Sequence, residues 1–147
     1  MKAVVLKGFG GTENFEVEEI PIPSIKAGHA LIKVHASSVN PVDFKIRQGL
    51  LPVGPDLPAV LHGDISGEIV EVGKGVTDFA KGDLVYGCVG GFSELPGVLA
   101  EFALADTQLL AHKPRNLSFE EAAALPLVAI TSWNALVDRA KVKKGQR

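Results

Sequence analysis

Ile65-Ser66-Gly67-Glu68-Ile69-Val70-Glu71-Val72-Gly73 alternates between apolar and polar positions, the two-residue period of a strand with one face in a core. Lys74-Gly75-Val76 then supplies a turn, and Gly82-Asp83-Leu84-Val85-Tyr86-Gly87 begins another strand beyond it. Upstream, Ala30 to Val39 repeats the pattern, with Leu31, Lys33, His35 and Ser37 on one face and Ile32, Val34 and Ala36 on the other. The chain holds 16 glycines and 9 prolines, and these break its first two-thirds into apolar segments of strand length. That spacing predicts an antiparallel barrel or sandwich.

After Pro114 the character changes. Ser118-Phe119-Glu120-Glu121 carries a serine with a glutamate three residues on, the pair that caps a helix start reciprocally, so a helix is predicted from there to Leu125. Pro126 interrupts it. Ile130, Trp133, Leu136 and Val137 then fall at three- and four-residue spacing along a second helix, from Ala129 to Ala140. Lys141, Lys143 and Lys144 favour its end, and Gly145 can terminate it. The expected fold class is therefore mainly β with C-terminal helices, an α+β chain in which residues 1–126 form one domain and 127–147 a helix leading onward. The last turn, Lys143-Lys144-Gly145-Gln146-Arg147, looks poised to launch another element, so the expectation is a truncated chain.

Composition narrows the partners. Of 147 residues, 46% are hydrophobic and 22% charged, which suits one folded domain and is short for two. The formal net charge is −2 and the basic residues are scattered, so there is no stripe of positive charge to neutralise phosphates, which argues against nucleic acid as a partner. The opening apolar run, Ala3-Val4-Val5-Leu6, is too short for a signal-peptide core or a membrane span. A single cysteine, Cys88, permits neither an internal disulfide nor a cysteine-rich zinc module, and suits a reducing, cytoplasmic setting.

Four segments carry a resemblance to a known family: Val39-Asn40-Pro41-Val42-Asp43-Phe44-Lys45-Ile46-Arg47-Gln48-Gly49, His62-Gly63-Asp64-Ile65 through Gly73, Gly82-Asp83-Leu84-Val85-Tyr86-Gly87, and Ala122-Ala123-Ala124-Leu125-Pro126-Leu127 through Thr131. Together, in this order and spacing, they resemble the medium-chain dehydrogenase/reductase superfamily, and most closely its zinc-free quinone oxidoreductase branch of zeta-crystallin-like and alkenal-reductase-like enzymes. The resemblance implies a GroES-like β-barrel followed by helices leading into a Rossmann domain, whose first strand and glycine-rich phosphate loop this sequence does not contain. Gly90-Gly91 is no substitute, because no third glycine at the required offset and no helix follow it.

The resemblance also assigns chemistry. Zinc-dependent relatives hold their catalytic metal through residues at positions matching Asn40, Gly63 and Leu127. An amide, a glycine and a leucine supply none of the thiolate, imidazole or carboxylate ligands zinc requires, so no metal is expected. Without a Lewis acid, conjugated acceptors are the easier substrates, since a quinone or an α,β-unsaturated carbonyl spreads incoming charge through its π system. The implied reaction is hydride transfer from NADPH to such a small molecule, by an enzyme that as a whole resembles homodimers.

Asn40, Asp43 and Lys45 form the expected catalytic set; Asn40, Lys45 and Thr131 are expected at the nicotinamide end of the cofactor. A plainer reading makes Asp43 and Lys45 a solvated surface pair and Thr131 a helix threonine bonded to its own backbone. Arg47 reads as a packed cation, His62 as a hydrogen-bonded structural residue, Asp64 as an acceptor for turn amides and Cys88 as a small core residue. The run Phe92-Ser93-Glu94-Leu95-Pro96-Gly97 reads as a loop that can border the substrate pocket. Two other classes stay open: a stand-alone GroES-like binding or assembly module, and a zinc alcohol dehydrogenase. A stand-alone module should end in a surface turn, whereas part of an enzyme should expose the apolar face of its last helix.

Overall fold

A computed structural model describes residues 1–52, 54–93 and 95–146. In chain order it has strands β1 (Lys2–Leu6), β2 (Phe15–Glu19) and β3 (His29–Ser37), helix α1 (Pro41–Arg47), then strands β4 (Ala59–Val60), β5 (Asp64–Val72), β6 (Leu84–Cys88), β7 (Phe102–Asp106) and β8 (Leu110–His112). Helices α2 (Phe119–Ala123) and α3 (Pro126–Trp133) follow. All pairings are antiparallel and fall into two open sheets, ordered β2-β1-β4 and β7-β3-β5-β6-β8, rather than one closed ring. The sheets are joined where Ala3 bridges Ala100 and the Val4 N–H donates to the Leu99 carbonyl at 2.8 Å.

β5 is the central strand, flanked by β3 and β6, and its alternation is broken once. Glu71 faces Leu31 but Ile69 faces Ile32, so Val70 is an extra residue in the ladder, a bulge that shifts the apolar phase along the strand. Gly67 faces Val34 beside a second irregularity, where a Cβ would run into the Lys33 carbonyl. Ile32, Ile65, Ile69 and Val85 are fully buried between these strands and form the main core with Ala30 and Ala105. A smaller core of Leu6, Ile46 and Leu61 lies under α1 and fixes that helix against β1.

The capping pair at α2 forms as its sequence predicts. Ser118 Oγ accepts from the Glu121 N–H at 3.1 Å, and Glu121 Oε2 accepts from the Ser118 N–H at 2.8 Å. The second helix differs from expectation. It starts at Pro126 rather than Ala129, because proline suits the first helical position, where a backbone N–H would have no partner. From Asn134 to Arg139 it widens into a π-helix, and it ends where Lys141 turns left-handed (φ 50°), short of Gly145. Its apolar residues do not meet a core: Ile130, Trp133, Leu136 and Val137 are between 44% and 62% exposed.

Cys88 closes β6 half-buried, and burial, with the Asp64 carboxyl beside it, pushes its thiol up to about 12. Iodoacetamide at pH 8 should therefore leave Cys88 unmodified in the native protein and label it only after unfolding, as read by mass spectrometry. Ile65→Ala should cost about 2–5 kcal/mol in urea unfolding. Val17→Ala, on the exposed face of β2, should stay within about 0.5 kcal/mol.

Candidate active-site cleft

Asn40 sits where β3 has ended and α1 begins, with extended backbone and Pro41 as the first helical residue. Asp43 reaches back, its Oδ2 accepting from the Asn40 N–H at 2.6 Å while its own N–H donates to the Asn40 carbonyl at 2.9 Å. Asp43 is only 3% exposed. Burial pushes its carboxyl up, opposed by the Asn40 amide that donates to it. A solvated Asp43–Lys45 pair is thus not what forms. Lys45 is exposed on α1 and in no ion pair among the described residues.

Asp64 opens β5 with no exposed surface. It does not satisfy turn amides, as its sequence context suggested. Oδ2 accepts from Ser38 Oγ at 3.0 Å and from Asn40 Nδ2 at 2.9 Å, and Oδ1 accepts from the Leu127 N–H at 3.1 Å. Asn40 Nδ2 also lies 3.4 Å from Ser38 Oγ. One carboxylate therefore ties together the end of β3, the cap of α1 and the first turn of α3. A buried acceptor of this kind is stable only when its oxygens are supplied with donors.

Between α1 and α3 lies an open cleft of about 640 Å³. Asn40, Pro41, Val42 and Lys45 line one wall, Leu127, Val128, Thr131 and Ser132 the other, and Leu51 and Phe92 complete the lining. Asn40, Lys45 and Thr131 are thus brought to one cavity, while Asp43 does not line it and its carboxyl is bonded to the Asn40 N–H. Thr131 Oγ1 donates to the Leu127 carbonyl at 2.8 Å, so its proton is committed and its lone pairs remain to accept. Phe92 meets the expectation that its loop borders the cleft; Glu94 of that loop lies outside the described residues. Arg47 donates to the Gly10 carbonyl, as a packed cation should.

The positions matching a metal-ligand set, Asn40, Gly63 and Leu127, gather round Asp64. Asn40 and Leu127 bond to Asp64, and a Cβ on Gly63 would stand 2.5 Å from the Gly90 carbonyl and 3.3 Å from both Cys88 Sγ and Phe92 Cε2. No ligating side chain fits there without moving that backbone. Among the described residues, no three His, Cys, Asp or Glu side chains come together as a metal-binding group. His62, with φ 69°, keeps Nδ1 buried without a hydrogen-bond partner among the described residues, contrary to the expectation of a satisfied structural histidine. Burial holds its imidazole below the ordinary range, opposed by Asp43 and Asp64. The Asp64 hub and Leu51 were missed in sequence. The one signal for the hub was an acidic residue at the head of a strand with no lysine or arginine near it in sequence.

Comparison with known proteins places this arrangement. Residues 26–115 match the alcohol dehydrogenase GroES-like domain. The chain is 40% identical over 137 residues to a chloroplast envelope quinone oxidoreductase homolog of Arabidopsis thaliana, covering 91% of this chain and 41% of that protein. It is 42% identical over 143 residues to an NADPH-dependent alkenal/one oxidoreductase of the same plant, covering 93% of this chain and 37% of that one. The structure of the quinone oxidoreductase from Coxiella burnetii superposes with a TM-score of 0.89 at 36% identity, over 99% of this chain and 46% of its own. The chain spans less than half the length of each of these relatives. Among its described residues no helix is long and apolar enough to cross a membrane. The fold and these matches agree: the chain belongs to the alcohol dehydrogenase GroES-like domain family, and the relatives it resembles carry the names of quinone and alkenal/one oxidoreductases.

Proposed function

We propose that this chain is the substrate-side part of an NADPH-dependent reductase that delivers hydride to a quinone or an α,β-unsaturated carbonyl without a metal. The observation that carries the reading is the α1–α3 cleft, apolar over most of its lining and with Asn40, Lys45 and Thr131 on its two walls. The names of the relatives, a quinone oxidoreductase homolog and an alkenal/one oxidoreductase, support the acceptor class.

NADPH, when bound, supplies the hydride. The residues of this chain do the rest. Leu51, Phe92, Leu127 and Val128 seat a flat conjugated acceptor and exclude water from it. Lys45, free of any carboxylate partner among the described residues, donates to the oxygen on which negative charge develops. Thr131 accepts a hydrogen bond from a hydroxyl or amide of the cofactor, its own proton being held by Leu127. Asn40 fixes the same end of the cofactor from the opposite wall, and Asp43 keeps Asn40 at the head of α1. A metal has no part in this scheme: a side chain at Gly63 would run into the Gly90 carbonyl, and an amide and a leucine stand at the other two matching positions.

The exposed face of Ile130, Trp133, Leu136 and Val137 supports the enzyme reading over a stand-alone module, because an apolar helix face of that size is a docking surface. We assign to it the nucleotide-binding domain of a longer product, which acts in the cytoplasm as a homodimer. Neither nucleic acid nor a membrane is a partner in this reading.

The longer product should oxidise NADPH with 1,4-benzoquinone or an enone as acceptor, and these 147 residues alone should not. Robust turnover by the isolated chain would refute the division of labour between the domains. In the longer product, Lys45→Ala and Thr131→Ala should each lower kcat/KM by about tenfold or more, roughly 1.4 kcal/mol, and wild-type kinetics would return both residues to structural roles. Exhaustive chelation should leave the rate unchanged; one zinc per chain in a metal assay of active protein would overturn the metal-free scheme.

A further inference from the structure

The cleft's two walls meet behind it at a single carboxylate. Asp64 has no exposed surface and touches no ligand space, yet Asn40 Nδ2 at 2.9 Å, Ser38 Oγ at 3.0 Å and the Leu127 N–H at 3.1 Å all donate to it. Asn40 and Leu127 both line the cleft. Resting on the function proposed above, we propose that Asp64 is a positioning residue that fixes the chemical polarity of Asn40. It holds the amide nitrogen inward, so that Oδ1, which also caps the Asp43 N–H at the start of α1, keeps a second lone pair with which to accept from the bound cofactor. Through the Leu127 N–H, the same side chain sets the distance from Asn40 to the first turn of α3, and so to Thr131.

The inference follows from donor and acceptor inventory. A carboxylate accepts on both oxygens, and here Oδ1 serves α3 while Oδ2 serves Asn40 and Ser38. An amide of the same shape cannot do both. If Asp64 became Asn, its NH₂ would oppose either the Leu127 N–H or the Asn40 NH₂. The first outcome leaves a helix amide without an acceptor, and the second forces Asn40 to flip and turn a donor toward the cleft. Ser38 can rotate its hydroxyl to suit either arrangement, so it does not decide between them. Exchanging the two residues, Asn40→Asp with Asp64→Asn, restores a complementary pair and again leaves an acceptor at position 40.

Two readouts test this. In the chain as it stands, hydrogen exchange of the Asn40 side-chain NH₂, followed by NMR, should be slower than for a free primary amide by about a hundredfold, and Asp64→Asn should remove that protection. In the longer product, Asp64→Asn should raise the NADPH Kd, measured by fluorescence titration, by about tenfold or more, and the exchange variant should recover most of that loss. Free-rate exchange of the Asn40 amide in the wild type would overturn the proposal, as would an unchanged NADPH Kd in Asp64→Asn. So would an exchange variant that regains the wild-type Tm without regaining affinity, which would reduce Asp64 to a prop for the fold. A protected Asn40 amide in a product that binds no NADPH would instead sink the function proposed above and leave the lock standing.

Discussion

A buried carboxylate in no ion pair among the described residues must be supplied with donors, and in this protein the donors that satisfy Asp64 come from three separate pieces of the chain. That constraint ties the end of β3, the start of α1 and the first turn of α3 to the head of β5, the central strand of the larger sheet. The cleft exists because those pieces are held at one separation. Removing a partner from such a cluster leaves an unsatisfied buried group, which costs more than the bond itself contributes.

Much of the sheet was legible in the sequence, because its positions follow from period and from turn residues. Ile32, Ile65 and Ile69 fall in the alternating stretches that the sequence marks as strands, and all three are fully buried. The bulge at Val70 was not legible, since a single phase shift in an apolar run looks like ordinary variation until the partner strand is seen. The capping pair Ser118–Glu121 was readable because both members lie within one turn. The face of Ile130, Trp133, Leu136 and Val137 had the right helical spacing, but spacing says only that a face is apolar, and here nothing in the described chain covers it.

The candidate site divides along the same line. Asn40, Lys45 and Thr131 were found through a family resemblance, and the fold brings them to one cleft from residues up to 91 positions apart. Asp43 was grouped with them by nearness in sequence, whereas its carboxyl turns toward the helix start and is buried there. Asp64 was read as a local turn acceptor because its true partners lie 26, 24 and 63 residues away, separations no local pattern records. Long-range polar satisfaction is invisible to periodicity, and it is what shapes this site.

The chemistry that results suits an acceptor able to delocalise charge. Among its described lining the cleft offers one cation, an amide and two hydroxyls, one of them with its proton given to the Leu127 carbonyl, on apolar walls, and in the function proposed above this set acts by positioning. The most direct test is to follow the hydrogen itself. With NADPH deuterated at C4 and an α,β-unsaturated ketone, the chelator-treated longer product should place deuterium on the β-carbon of the reduced ketone, as read by mass spectrometry. Reduced product carrying only solvent hydrogen at that carbon, or a reaction that stops when metal is removed, would contradict the account.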